Sequence, residues 1–199
     1  MFPPFDEWCD TVLHPEDTYP WNFRTPEFYE EYRLKYALAK VIQPTTILEV
    51  GVRFGYSAQS FFFAAPRATY VGLDKDEPSW GPYKGVPRLW AEDALHRVHP
   101  HADFLTWETD TQIEKQEFVP RGFDLVHIDA DHSYKGALHD MLTFWAFCRR
   151  VMVVDDVSEI LPVEMAVEDF LRATPTALLC GNMTALRGAA IIVREDDKA

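Results

Sequence analysis

The run Thr46-Ile47-Leu48-Glu49-Val50-Gly51-Val52-Arg53-Phe54-Gly55-Tyr56-Ser57 constrains the fold more than any other segment of this chain. Its apolar start reads as a buried strand, its glycines as a tight turn, and Tyr56-Ser57 as the opening of a helix. Glu49 closes the strand, while Gly51 and Gly55 allow the backbone to come close to a ligand. About twenty residues on, a second strand, Thr69-Tyr70-Val71-Gly72-Leu73, ends in Asp74, the layout of a binding site at the carboxyl edge of a parallel sheet. A dinucleotide fingerprint needs G-x-G-x-x-G, and this loop has Arg53 where the middle glycine belongs. The turn that cradles a pyrophosphate is therefore not expected.

Strand and helix patterns alternate through the rest of the chain. Thr25-Pro26-Glu27 carries a threonine cap, proline at the first helical position and an acid in the first turn, so a helix is expected from there to Gln43-Pro44. Further strands are expected near 103–108, 123–128 and 151–154, with helices near 56–64, 91–98, 134–147 and 160–172. Two last apolar runs, 177–180 and 189–193, read as an antiparallel pair at the sheet edge. The pattern predicts an α/β fold with a doubly wound, mostly parallel, seven-stranded sheet. Residues 1–199 are read as one domain, with 1–44 forming an arm and helix over the site. The long Glu77–Trp90 loop reads as a binding-site flap.

Composition narrows the function classes. A net charge of −13 argues against nucleic acid, which is bound by basic patches. The longest apolar stretch, Phe61-Phe62-Phe63-Ala64-Ala65, is too short to span a bilayer. Three scattered cysteines and an amino terminus without a basic or apolar leader point to the reducing cytoplasm.

A second constellation lies further along. One strand ends Asp129-Ala130-Asp131-His132-Ser133-Tyr134 and the next ends Asp155-Asp156. If these strands are neighbours, up to four carboxylates converge. At about 4 Å each like-charged pair costs roughly 4 kcal/mol at an effective dielectric near 20. A divalent cation removes that cost, and an all-oxygen set suits Mg²⁺. The bland alternative is that one aspartate caps the following helix and the others are solvated.

E-x-G-x-x-x-G-x-S resembles motif I of the class I S-adenosylmethionine (SAM) methyltransferases, which have a Rossmann-like sheet. The D-x-D-H-S-Y and D-D pair resembles the metal-dependent macrocin O-methyltransferase type, including cephalosporin-pathway and aminocoumarin sugar methyltransferases, over roughly residues 45–193. The resemblance implies a SAM- and Mg²⁺-dependent O-methyltransferase acting on a hydroxyl of a small molecule. Glu49, Gly51, Arg53, Gly55, Tyr56, Ser57, Asp74, Asp110, Asp129 and His132 would contact SAM; Asp129, Asp155 and Asp156 would ligate Mg²⁺; Asp131 or His132 would act as base. The short amino-terminal region leaves substrate size open and admits a homo-oligomer. The rivals are a nicotinamide-dependent oxidoreductase, a SAM- or metal-binding module without turnover, and a metal-free methyltransferase.

Other residues carry less. His127 lies inside a strand and reads as a core histidine. His96, His99 and His101 lack partners at zinc-ligand spacing. His139 and Asp140 read as surface residues. Phe28, Tyr32 and Tyr36 recur at helical spacing and read as core, whereas Trp80, Tyr83 and Trp90 read as pocket aromatics.

Overall fold

A computed structural model describes residues 26–74, 87–98, 103–106, 122–183 and 187–195. Helix α1 spans Pro26–Ile42, followed by strand β1 (Thr46–Val50), α2 (Tyr56–Ala64) and β2 (Thr69–Asp74). Then come α3 (Pro87–Val98), β3 (Asp103–Thr106), β4 (Phe123–Ile128), α4 (Tyr134–Trp145), β5 (Cys148–Asp155), α5 (Leu161–Ala173), β6 (Ala177–Met183) and β7 (Ala189–Arg194). The strands form one seven-stranded sheet in the order β3-β2-β1-β4-β5-β7-β6. Only β7 runs against its neighbours.

Strand order reverses between β1 and β4, so the chain leaves these two neighbours in opposite directions and opens a crevice beyond their carboxyl ends. The register Glu49↔His127 and Val50↔Ile128 brings the glycine loop level with Asp129. Side chains alternate between the two faces. Ile47, Tyr70, Leu125, Val151 and Val153 pack with α1 and α2. Leu48, Val50, Val126, Ile128, Met152 and Val154 pack on the other face with α4 and α5. Glu49, His127 and Asp155 fall in the first register, and are therefore polar groups on an otherwise apolar face.

Some expected boundaries move. Helix α3 begins at Pro87, about one turn earlier than expected, because proline is well suited to a first helical position. Strand β5 begins at Cys148 instead of near 151; the exposed Arg149 and Arg150 hide its start from a hydrophobicity pattern. Asp140 is buried, not on the surface, since it falls on the inward side of α4 with Ala137, Met141 and Phe144. The expected arm before residue 25, with Trp8, Trp21 and Phe23, lies outside the described residues, as do Trp80, Tyr83, Asp110 and the side chains of Phe28 and Trp90. Among the described residues no helix is long and apolar enough to cross a membrane.

Candidate active site

The glycine loop is held by close backbone packing. Gly51 has φ +90°, and a Cβ there would stand 1.9 Å from the Asp129 carbonyl oxygen. Two ladder-like bonds fix this approach: Gly51 N–H donates to Leu73 O at 2.8 Å, and Asp129 N–H donates to Val50 O at 2.8 Å. Gly55, at φ +76°, caps α2 without a side-chain bond. Arg53 also has a positive φ of 49°, a costly conformation for a residue with a side chain. Asp74 stabilises it, because its Oδ2 accepts from both Val52 N–H (2.8 Å) and Arg53 N–H (2.7 Å). Asp74 thus shapes the loop as well as ending β2 beside it. The Arg53 guanidinium lies 5.2 Å from the Phe54 ring centroid, and Tyr56 is buried edge-on to Tyr32 of α1.

Glu49, expected to contact a cofactor, has partners within the fold. It is buried, with Oε2 accepting from the Tyr70 hydroxyl at 2.6 Å and Oε1 at 3.0 Å from His127 Nδ1. Each oxygen thus has one partner on the α1/α2 face. His127 is a core residue as expected, but a charged one. Burial alone would lower its pKa; the Asp155 and Glu49 carboxylates overcome that and lift it to about 10. Asp155 Oδ2 lies 3.1 Å from His127 Nε2 and also meets the Lys35 ammonium. Despite its burial, these two cations hold the Asp155 carboxyl well below the usual carboxylate range. Lys35 in turn reaches Glu31 at 2.9 Å and Ser57 Oγ at 2.9 Å. The result is a row in which acids and bases alternate, buried from Glu49 through His127 and Asp155 to Lys35 and ending at the half-buried Glu31.

At the mouth of the crevice stands a second cluster. His132 Nε2 lies 3.1 Å from Asp129 Oδ1 and 3.2 Å from Asp156 Oδ2. The Asp129 hydrogen bond raises the His132 pKa above its ordinary 6.5 against some opposition from burial. Asp156 is buried in the left-handed region at φ 63°. Burial, and then the charge of Asp129, push its pKa up to about 7, and Arg187 Nη1 at 3.3 Å only partly offsets this. Asp131 lies apart: it is exposed, accepts from Ser133 N–H at 2.9 Å and packs over Gly136 at the start of α4.

Two sets of potential metal-ligand atoms lie within 4.8 Å of one another, Asp129/His132/Asp156 and His127/Asp129/Asp155. The three aspartates expected to share an ion are divided between them, with Asp129 common to both. A divalent cation fits the Asp129–Asp156 end, where two carboxylates crowd each other and one is pushed towards neutrality. Asp155 Oδ2 faces Lys35 and His127, as Asp156 Oδ2 faces His132 and Arg187, but Asp155 is held in its charged form without an ion; its Oδ1 is buried and has no hydrogen-bond partner among the described residues.

Sequence reasoning missed Lys35, Glu31 and Arg187. Lys35 carried a signal, because it lies one position from Tyr36 on the inward stripe Tyr32, Tyr36, Ala39 of α1, where a charge is out of place. Arg187 carried none, as its link to Asp156 spans 31 residues.

Residues 48–157, more than half of the chain, match the family model described as "Methyltransferase domain". A search of the curated proteins finds no match. Solved structures match over nearly the whole chain. An O-methyltransferase from Bacillus cereus in complex with SAH has a TM-score of 0.68 and 16% identity, covering 98% of this chain and 90% of that one. The O-methyltransferase TomG from Streptomyces achromogenes, involved in tomaymycin synthesis and solved with SAM, has a TM-score of 0.67 and 16% identity, covering 96% of each chain. The SAH-bound methyltransferase PaMTH1 from Podospora anserina has a TM-score of 0.61 and 16% identity, covering 98% of this chain and 88% of that one. At such identity these structures establish the fold.

Proposed function

Because the chain belongs to the methyltransferase-domain family of class I SAM-dependent enzymes, we propose that it methylates a hydroxyl oxygen of a small molecule with the help of Mg²⁺. The observation that carries this reading is the pairing of Asp129 and Asp156 around His132, directly beside the glycine loop. Gly51, Arg53, Gly55, Tyr56, Ser57 and Asp74 form the cofactor side. Asp129 and Asp156 would hold Mg²⁺, which when bound lowers the pKa of a coordinated hydroxyl. SAM, when bound, would supply the methyl group to the acceptor oxygen, with the S–CH₃ electron pair staying on sulfur. The acceptor proton would pass to His132 in its neutral form, the imidazole that stands beside the two carboxylates. His132 is favoured over Asp131 because only His132 faces the paired carboxylates. The family match removes the nicotinamide alternative, in agreement with Arg53 in place of the fingerprint glycine.

Calorimetric titration of Mg²⁺ tests the metal assignment without knowledge of the acceptor. Asp156→Asn is expected to weaken binding tenfold or more, roughly 1.4 kcal/mol, and EDTA to abolish methyl transfer. Unchanged Mg²⁺ affinity in Asp156→Asn, or full activity in EDTA, removes the metal from the scheme.

A further inference from the structure

Lys35 is 1% exposed, and each acceptor within its reach belongs to a different part of the fold. Its Nζ donates to Glu31 of its own helix, to Ser57 Oγ in the first turn of α2, and to Asp155 at the end of β5. An ammonium has three protons and no acceptor capacity, so these contacts use all of it. Ser57, accepting from Lys35, keeps its own hydroxyl proton to donate. Ser57 is the second residue of α2, and Gly55 caps that helix with no side chain to take its first amides. Lys35 is engaged by Asp155 and Glu31, so its charge is already met inside the fold. A carboxylate bound beside it would be held by directed hydrogen bonds, not by Lys35's own charge.

We propose that Lys35 is a positioning residue for the cofactor: its buried ammonium orients the Ser57 hydroxyl to donate to the carboxylate at the methionine end of SAM. This rests on the reading that the crevice binds SAM. Lys35 makes no contact with the cofactor of its own, and acts through Ser57. A lysine that merely neutralises Asp155 would affect stability, but would not distinguish ligands by their carboxylate.

The test is calorimetric, with SAM and with decarboxylated SAM as probes. Lys35→Met is expected to weaken SAM about tenfold, the worth of one charge-assisted hydrogen bond, and to change decarboxylated SAM less than about twofold. Adding Lys35→Met to Ser57→Ala is expected to cost nothing more, because the two act as one unit. Equal weakening of both ligands, or additive losses in the double variant, overturns the proposal. If Lys35→Met does not fold, Lys35→Met with Asp155→Asn removes both buried charges and is compared with Asp155→Asn alone, by the same ratio of affinities. Failure of the unaltered protein to bind SAM overturns the cofactor reading itself, an outcome distinct from a change confined to the variants.

Discussion

Gly51 shows how one missing atom allows the crevice to exist. With φ at +90° and the Asp129 carbonyl 1.9 Å from where a Cβ would stand, no side chain fits without parting β1 from β4. Gly51→Ala is expected to cost about 2–3 kcal/mol or more, from backbone strain plus the clash. In a chain of this size that lowers Tm by roughly 5–10 °C, measurable by thermal unfolding. Gly55→Ala meets side chains alone, Leu95 at 3.1 Å and Ala91 at 3.4 Å, and is expected to cost less, about 1 kcal/mol. Both glycines were legible in the sequence, since a strand-to-helix turn with this spacing demands them. Their reasons were not: Gly51 answers to Asp129, 78 positions away, and no local pattern reports such an approach. Glu49 teaches the converse. Its place at a strand end suggested a ligand contact, but period-two alternation turns it into the α1/α2 face, where Tyr70 and His127 claim it.

At the scale of elements, the lower ends of β1 and β4 are tied as firmly as their upper ends. Thr45 donates to Asp124 Oδ2 from both its N–H (2.7 Å) and its hydroxyl (2.6 Å). Burial opposes the Asp124 charge, but these two bonds outweigh it and lower the pKa below its ordinary 3.8. A carboxylate whose folded pKa lies below the unfolded value stabilises the fold above the unfolded pKa, and that stability is lost as pH falls through the folded one. Asp124→Ala is therefore expected to cost about 1–3 kcal/mol near neutrality. The difference from the unaltered protein should shrink below pH 3.8, as followed by urea unfolding across pH. Alternation of strands and helices was readable throughout because apolar periodicity is local. The start of β5 was obscured by Arg149 and Arg150, which face outward within the strand.

For the molecule as a whole, a ligand that binds only the folded state raises its stability by mass action. SAM at about a hundred times its Kd is expected to add about 2.7 kcal/mol, seen as a rise in Tm. Mg²⁺ is expected to add a further increment in the unaltered protein and little in Asp156→Asn. No rise with SAM would contradict the proposed cofactor. Doubly wound sheets put strand ends on one edge, so the sequence raised the convergence of the two acid clusters as a condition, and the pairing of β4 with β5 meets it. Their division was not legible, since it depends on Lys35 arriving from α1 and Arg187 from the β6–β7 connection.

That connection also bears on the order in which the molecule can be built. Strand β7 inserts between β5 and β6, and the segment before it is stitched to residues just after Asp156: Ser158 N–H donates to Arg187 O at 2.8 Å and Val157 N–H to Gly188 O at 3.2 Å. A nascent chain that has emerged only as far as α5 carries every acid of the crevice, yet leaves β5 as an open edge and Asp156 without its arginine. Competence should therefore arrive late in synthesis and all at once, and until then the bare flank of β5 is what a chaperone would have to shield.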